Sequence, residues 1–176
     1  MTAPGLARSS EYLHSLGIMH FNWSVIDLYT DYAIWKFLGV TAGQAHLITS
    51  GLMFGRKARL LADLLKRSKD ANRYRLIEAF NVMQAGKRDV ITHAYMGDDV
   101  DTVTFLERKA SGAFKAFVHT YTLEEFRAHS NTLLEATNKF KAALGATDQE
   151  LHEFAAAALS LDLKDATSSG TPTAHK

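Results

Sequence analysis

Apolar residues recur at helical spacing along most of the chain. Leu16, Met19, Trp23, Ile26, Ala33 and Phe37 step by three, four or seven positions, which predicts a first helix from about Ser10 to Leu38. Gly39 follows as its C-terminal glycine. Val25, Leu28, Tyr32 and Trp35 fall off that stripe. A helix apolar on more than one face is central to its fold or shared with a second subunit. Thr41 and Gln44 read as a capping box opening a second helix. Its stripe runs through Leu47, Gly51, Phe54, Ala58, Leu61 and Leu65, and Gly51 and Gly55 predict a close helix–helix approach. Asp70 opens a third helix carrying Leu76, Ile77, Phe80, Met83, Val90, Ile91 and Ala94, with Gly86 as a weak point and an end near Tyr95–Gly97.

The pattern then changes period. Val103–Leu106 and Phe114–Val118 are β-rich runs around Ser111-Gly112, which predicts a small hairpin. Thr122 with Glu125 caps a fourth long helix that reaches about Leu144, before Gly145. Thr147 with Glu150 opens a last helix over about 148–162. The expected architecture is all-α in the main: an up-and-down four- or five-helix bundle with a small β-hairpin inserted before the fourth long helix. The expected boundaries are a flexible N-terminus at 1–8, a single helical-bundle domain at 9–163 and a disordered tail at 164–176, rich towards its end in Ser, Thr, Gly and Pro. The chain has no internal repeat.

Composition narrows the chemistry by exclusion. The 176 residues include no cysteine, which removes disulfides, zinc–thiolate sites and cysteine nucleophiles. No apolar run approaches the roughly 18 residues that span a bilayer, and no basic-then-apolar leader opens the sequence, so a soluble cytoplasmic protein without membrane partners is expected. The formal charge is +1 but it is unevenly spread: Arg56 to Arg88 holds ten basic and three acidic residues. Such a segment favours an anionic ligand, although a solvated helix face gives the same pattern.

The stretch Lys87-Arg88-Asp89-Val90-Ile91-Thr92-His93 carries the candidate chemistry. On a regular helix Asp89 and His93 share a face, and the carboxylate can orient the imidazole. Arg88 and His93 stand five residues apart, about 140° around an ideal helix. For both to serve one phosphate the helix must loosen near His93, the arginine must wrap, or two subunits must pool residues. Arginine, a polar neighbour and a histidine in this window, late in a helix and followed by Tyr95-Met96-Gly97, resemble the signature of HEPN-type helical domains. Arg8 and His14 satisfy the same spacing, in a stretch without that context.

The resemblance covers roughly residues 12–145 through three motif positions, Arg88, Asp89 and His93. It implies a metal-independent endoribonuclease, or an RNA- or nucleotide-binding relative without cleavage, working as a homodimer whose two motifs meet. An antitoxin-like protein partner is compatible with it. His93 would be general acid or base, Arg88 would stabilise charge on the phosphate, and Asp89 would orient His93. Lys87, Arg73 and Arg75 would track the RNA backbone. No cofactor and no metal are required.

The alternative is a non-catalytic helical interaction or ligand-binding module, in which Lys87, Arg88 and His93 only complement a helix end. Asp27 and Asp31 with His20 could seed a metal site, but an exposed acidic face is the expectation there. His14, His46, His119, His129 and His152 have no ligand spacing and read as surface or boundary residues. Trp23, Trp35, Phe54 and Phe80 read as packing or interface positions.

Overall fold

The structure is a computed structural model describing the backbone of residues 4–98, 102–111 and 113–168, and the side chains in those ranges except residues 4–9, 93, 98, 110, 111, 113 and 160–168. It is mainly helical, with one small three-stranded antiparallel sheet. In order the elements are α1 (Pro4–Leu38), α2 (Ala42–Ser50), α3 (Phe54–Arg67), α4 (Arg73–Ala85), α5 (Arg88–His93), β1 (Tyr95–Asp98), β2 (Thr102–Ser111), β3 (Ala113–Thr122), α6 (Leu123–Leu144) and α7 (Asp148–Ser168). Of the segments expected to be flexible, residues 1–3 and the tail from 169 lie outside the described residues; residues 4–8 belong to α1 and residues 164–168 continue α7.

Several expectations for the helices need correction. The single helix expected from Thr41 through Leu65 is two helices. Gly51, at φ −86°, closes α2, and Met53 at φ −64° and ψ 150° is extended before α3 starts. Glycine is a poor helix former, and here it marks the break. It marks no close approach: a β-carbon on Gly51 or Gly55 would meet nothing within 4 Å. Leu47, counted on the apolar stripe, is 69% exposed. The expected third helix is likewise divided at Gly86-Lys87 into α4 and α5, so Tyr95–Gly97 is a strand and not a helix end. The Thr41–Gln44 box is present in full, and the Thr122–Glu125 and Thr147–Glu150 pairs make the same reciprocal bonds. Gly39 takes φ +66° behind α1, the left-handed turn that only glycine adopts without strain.

Contacts divide the chain into two compact units. The first comprises residues 1–26 and 78–140. Its core holds Met19, Trp23 and Ile26 of α1, Phe80 and Met83 of α4, Val90 and Ile91 of α5, and Phe126, Leu133 and Phe140 of α6. Asn22 donates to Ser130 Oγ at 3.0 Å, satisfying a buried amide between α1 and α6. The sheet order is β1-β2-β3, with Phe105 opposite His119 and Glu107 opposite Phe117. Alternation puts Val103, Phe105, Glu107, Phe117, His119 and Tyr121 on one face. Phe105 on that face is buried and stacks on Phe126 of α6 at 5.9 Å. On the other face Arg108 lies over the Tyr95 ring at 4.1 Å.

The second unit comprises residues 27–77 and 141–176. Tyr32, Ile34, Ala45, Leu61, Leu65, Leu76, Leu151 and Phe154 are buried in it. His46 of α2 stacks on Phe154 of α7 at 4.3 Å and its Nε2–H donates to the Phe154 carbonyl at 2.7 Å. Lys57 of α3 is buried and reaches Asp27 at 3.2 Å and Asp31 at 2.9 Å on α1.

Candidate functional site

The motif stretch begins at a sharp change of direction. Gly86 is buried, and a β-carbon on it would stand 2.4 Å from Leu133 Cδ2 and 2.9 Å from Trp23 Cζ2. A methyl group there would force the buried Leu133 and Trp23 side chains to shift. The His129 Nε2–H donates to the Gly86 carbonyl at 3.1 Å, and the His129 ring stacks on Tyr121. Lys87 then adopts φ 51° and ψ 41°, a left-handed conformation that costs a residue with a β-carbon about 1 kcal/mol. Among the described residues it is the only non-glycine with positive φ. The turn re-aims the chain, and α5 starts one residue later.

Arg88 is the first residue of α5 and His93 is the last. Arg88 is half-buried, its Nε is shielded from solvent, and its carbonyl accepts from Thr92 Oγ1 at 2.8 Å. Asp89 is exposed. The His93 side chain lies outside the described residues; its backbone closes the helix, and Ala94 beyond it is extended at φ −76° and ψ 156°. Helix geometry separates the two motif ends by about 7.5 Å along the axis and about 140° around it.

The remaining candidate residues fall in both units. Lys87 is exposed beside the motif. Arg73 and Arg75 belong to the second unit. Arg73 is engaged at the start of α4: it donates to the Ser68 carbonyl at 3.2 Å and to Tyr74 Oη at 2.7 Å. Arg75 is exposed. The Asp27–Asp31 pair, weighed as a metal seed, has the Lys57 ammonium between its carboxylates. Among the described residues no group of three or more histidine or acidic side chains is disposed to hold a metal ion, and no helix is long and apolar enough to cross a membrane.

Two side chains to which the sequence assigned no role stand next to the motif. His119 on β3 is hydrogen-bonded through Nε2 to Glu107 Oε2 on β2 at 3.0 Å, and its Nδ1 faces Lys87 Nζ at 3.3 Å. Glu107 also pairs with Lys109 at 2.8 Å. These bonds, that from Lys109 first and that from His119 next, hold the Glu107 carboxyl below its ordinary range against the opposing effect of burial. A signal existed: a hairpin centred on Gly112 puts Glu107 and His119 on one face as diagonal neighbours.

A shallow groove of about 270 Å³ lies elsewhere in the first unit, lined by His14, Ser15, Ile18, Arg127, Ser130 and Asn131. Arg127 at its rim pairs weakly with Glu11 at 3.5 Å. No protein-family model matches this chain, and no curated protein and no solved structure matches it either.

Proposed function

We propose that this protein acts on RNA without a metal, as a HEPN-like endoribonuclease using Arg88, Asp89 and His93. One observation carries the reading. Arg88 opens and His93 closes one short helix, α5, with the chain extended from Ala94, so both motif ends stand at helix termini. The angle of about 140° between Arg88 and His93 would be bridged by a second subunit that brings its own motif to the same phosphate. His93 would relay the proton as the 2′-hydroxyl attacks the adjacent phosphate, leaving a cyclic phosphate end. Arg88 would neutralise charge on the phosphate oxygens. Asp89, four residues before His93, would orient the imidazole. Lys87 would contact the backbone phosphates. The reading includes an up-and-down bundle, a homodimer that brings two motifs together, and a cytoplasmic setting.

The test is cleavage of labelled single-stranded RNA in chelator by wild type, His93→Ala and Arg88→Ala. Cleavage with cyclic phosphate ends, lost in both variants, supports the enzyme. Binding without cleavage reduces the reading to an RNA-binding protein. A second reading, a helical interaction module without chemistry, is favoured by the half-burial of Arg88, which limits its reach towards a ligand. It prevails if wild type neither binds nor cuts RNA.

A further inference from the structure

We propose that Lys87, His119, Glu107 and Lys109 form a phosphate-binding site, which adjoins the Arg88–His93 motif and shares Lys87 with it, in which His119 Nδ1 meets the ligand. The proposal does not depend on RNA cleavage.

The bonding around His119 fixes its working form. Glu107 can only accept when ionised, so the Nε2 of His119 carries the hydrogen that points to Glu107 Oε2, 3.0 Å away. Nδ1 is then the lone-pair nitrogen, and it accepts from the Lys87 ammonium at 3.3 Å. A carboxylate behind an imidazole sets its tautomer and orientation and stabilises the imidazolium once it forms. His119 and Glu107 are only 19% and 16% exposed, so the pair is held in place while Lys87 is open to solvent.

The charges are unbalanced in one direction. The cluster holds two ammonium groups, Lys87 and Lys109, and one carboxylate, Glu107. Lys109 is already paired with it, at 2.8 Å. Lys87 makes no ion pair among the described residues and has a neutral ring nitrogen where an anion would serve better. It also occupies a left-handed position that glycine would fill without strain. A strained lysine aimed at the lone-pair nitrogen of a carboxylate-held histidine is a poor structural pairing and a good anion receptor.

A phosphate group completes it. The Lys87 ammonium swings off Nδ1 onto one phosphate oxygen. The phosphate hydroxyl then donates to the vacated lone pair of His119 Nδ1. No proton is transferred and no bond in the ligand breaks. Lys109, 59% exposed, adds positive potential at longer range. The ligand class is a terminal phosphate, either inorganic phosphate or the monoester of a nucleoside 5′-monophosphate.

The test is a titration of the full-length protein with inorganic phosphate, and separately with adenosine 5′-monophosphate, following the ring nitrogens of His119 by NMR. His152, which is exposed on α7, is the internal control. The expected result is a saturable movement of the His119 Nδ1 resonance that His152 does not share. Lys87→Met should weaken it about tenfold or more, as loss of one charge-assisted hydrogen bond implies. Lys109→Met should weaken it less. Tighter binding of the nucleotide would identify a monoester site, and equal binding a site for the bare anion. Absence of a shift beyond that of His152, or an unchanged shift in folded Lys87→Met, overturns the proposal. Glu107→Gln is a second arm: its His119 should lose the fixed tautomer and the binding, and retention of both would also overturn it.

Discussion

His129 holds Gly86: its Nε2–H donates to the Gly86 carbonyl at 3.1 Å, so α6 fixes the point at which α4 stops and the chain turns into α5. The turn is a packed feature of the first unit. Its direction depends on a residue with no side chain.

Gly86→Ala is therefore expected to destabilise the protein by about 1–3 kcal/mol, the usual cost of overpacking a filled core. The new methyl would meet Leu133 Cδ2 at 2.4 Å and Trp23 Cζ2 at 2.9 Å, and both side chains are buried. Urea unfolding of Gly86→Ala, Leu133→Ala and the double variant gives the check. The double variant should be less destabilised than the sum, because the smaller residue at 133 vacates the contested space. Strict additivity would mean that the strain lies in the backbone.

The sequence was most readable where local chemistry decides structure. The Thr41, Thr122 and Thr147 caps and the Gly39 turn follow from short-range hydrogen bonding and from glycine's freedom at positive φ, and each is present. The hairpin was legible from its β-rich runs. Strand β1 was not: Tyr-Met-Gly-Asp is too short to show alternation, and it becomes a strand because β2 pairs with it. The break at Lys87 was equally hidden, since nothing local makes a lysine left-handed. It follows Gly86, whose packing against α1 and α6 only the tertiary fold shows. The motif residues could be named in advance, but the Glu107–His119 pair could not be joined to Lys87 without the tertiary fold.

Lys57 lies between two acids on adjacent turns of α1, at 3.2 Å from Asp27 and 2.9 Å from Asp31. Lys57→Met would leave two carboxylates facing each other with no cation. The expected cost is roughly 3 kcal/mol, the low end for a broken buried pair because Asp27 is one-third exposed. The triple variant Lys57→Met/Asp27→Asn/Asp31→Asn, which removes all three charges together, should recover most of that loss. Chemical denaturation of the single and triple variants decides it, and a triple variant as unstable as the single one would show that packing of the Lys57 stem, not its charge, matters there.

Asp31 supplies a pH dependence of opposite sign to the usual carboxylate. Burial raises its pKa above 3.8, outweighing the hydrogen bond from Lys57, and its buried Oδ1 has no hydrogen-bond partner among the described residues. A raised carboxyl favours folding while protonated, so its contribution is present below the unfolded value and is lost as pH rises through the folded one. Asp31→Asn carries its own fixed cost, since the amide must also find partners, but that cost does not change with pH. Thermal melts of wild type and Asp31→Asn at pH 3 and pH 7 should thus differ in slope: the variant gains on wild type as pH rises. A variant that instead loses ground as pH rises would mean that the Lys57 attraction dominates.

Glu107 behaves in the ordinary way. Hydrogen bonds from Lys109 and His119 lower its pKa below 4.5, so its ionised form stabilises the fold. That contribution is present above the unfolded value and disappears as pH falls through the lowered folded value. Glu107→Gln is expected to cost about 1 kcal/mol at pH 7, in keeping with a partly exposed charge-assisted pair. The difference from wild type should shrink progressively below pH 4.5. Urea midpoints at pH 7, 5 and 3 make the comparison. Because Lys87 faces the far nitrogen of His119 at 3.3 Å, the same variant should release the imidazole to rotate, and a cost independent of pH would indicate lost packing at the sheet face with no ionic contribution from Glu107.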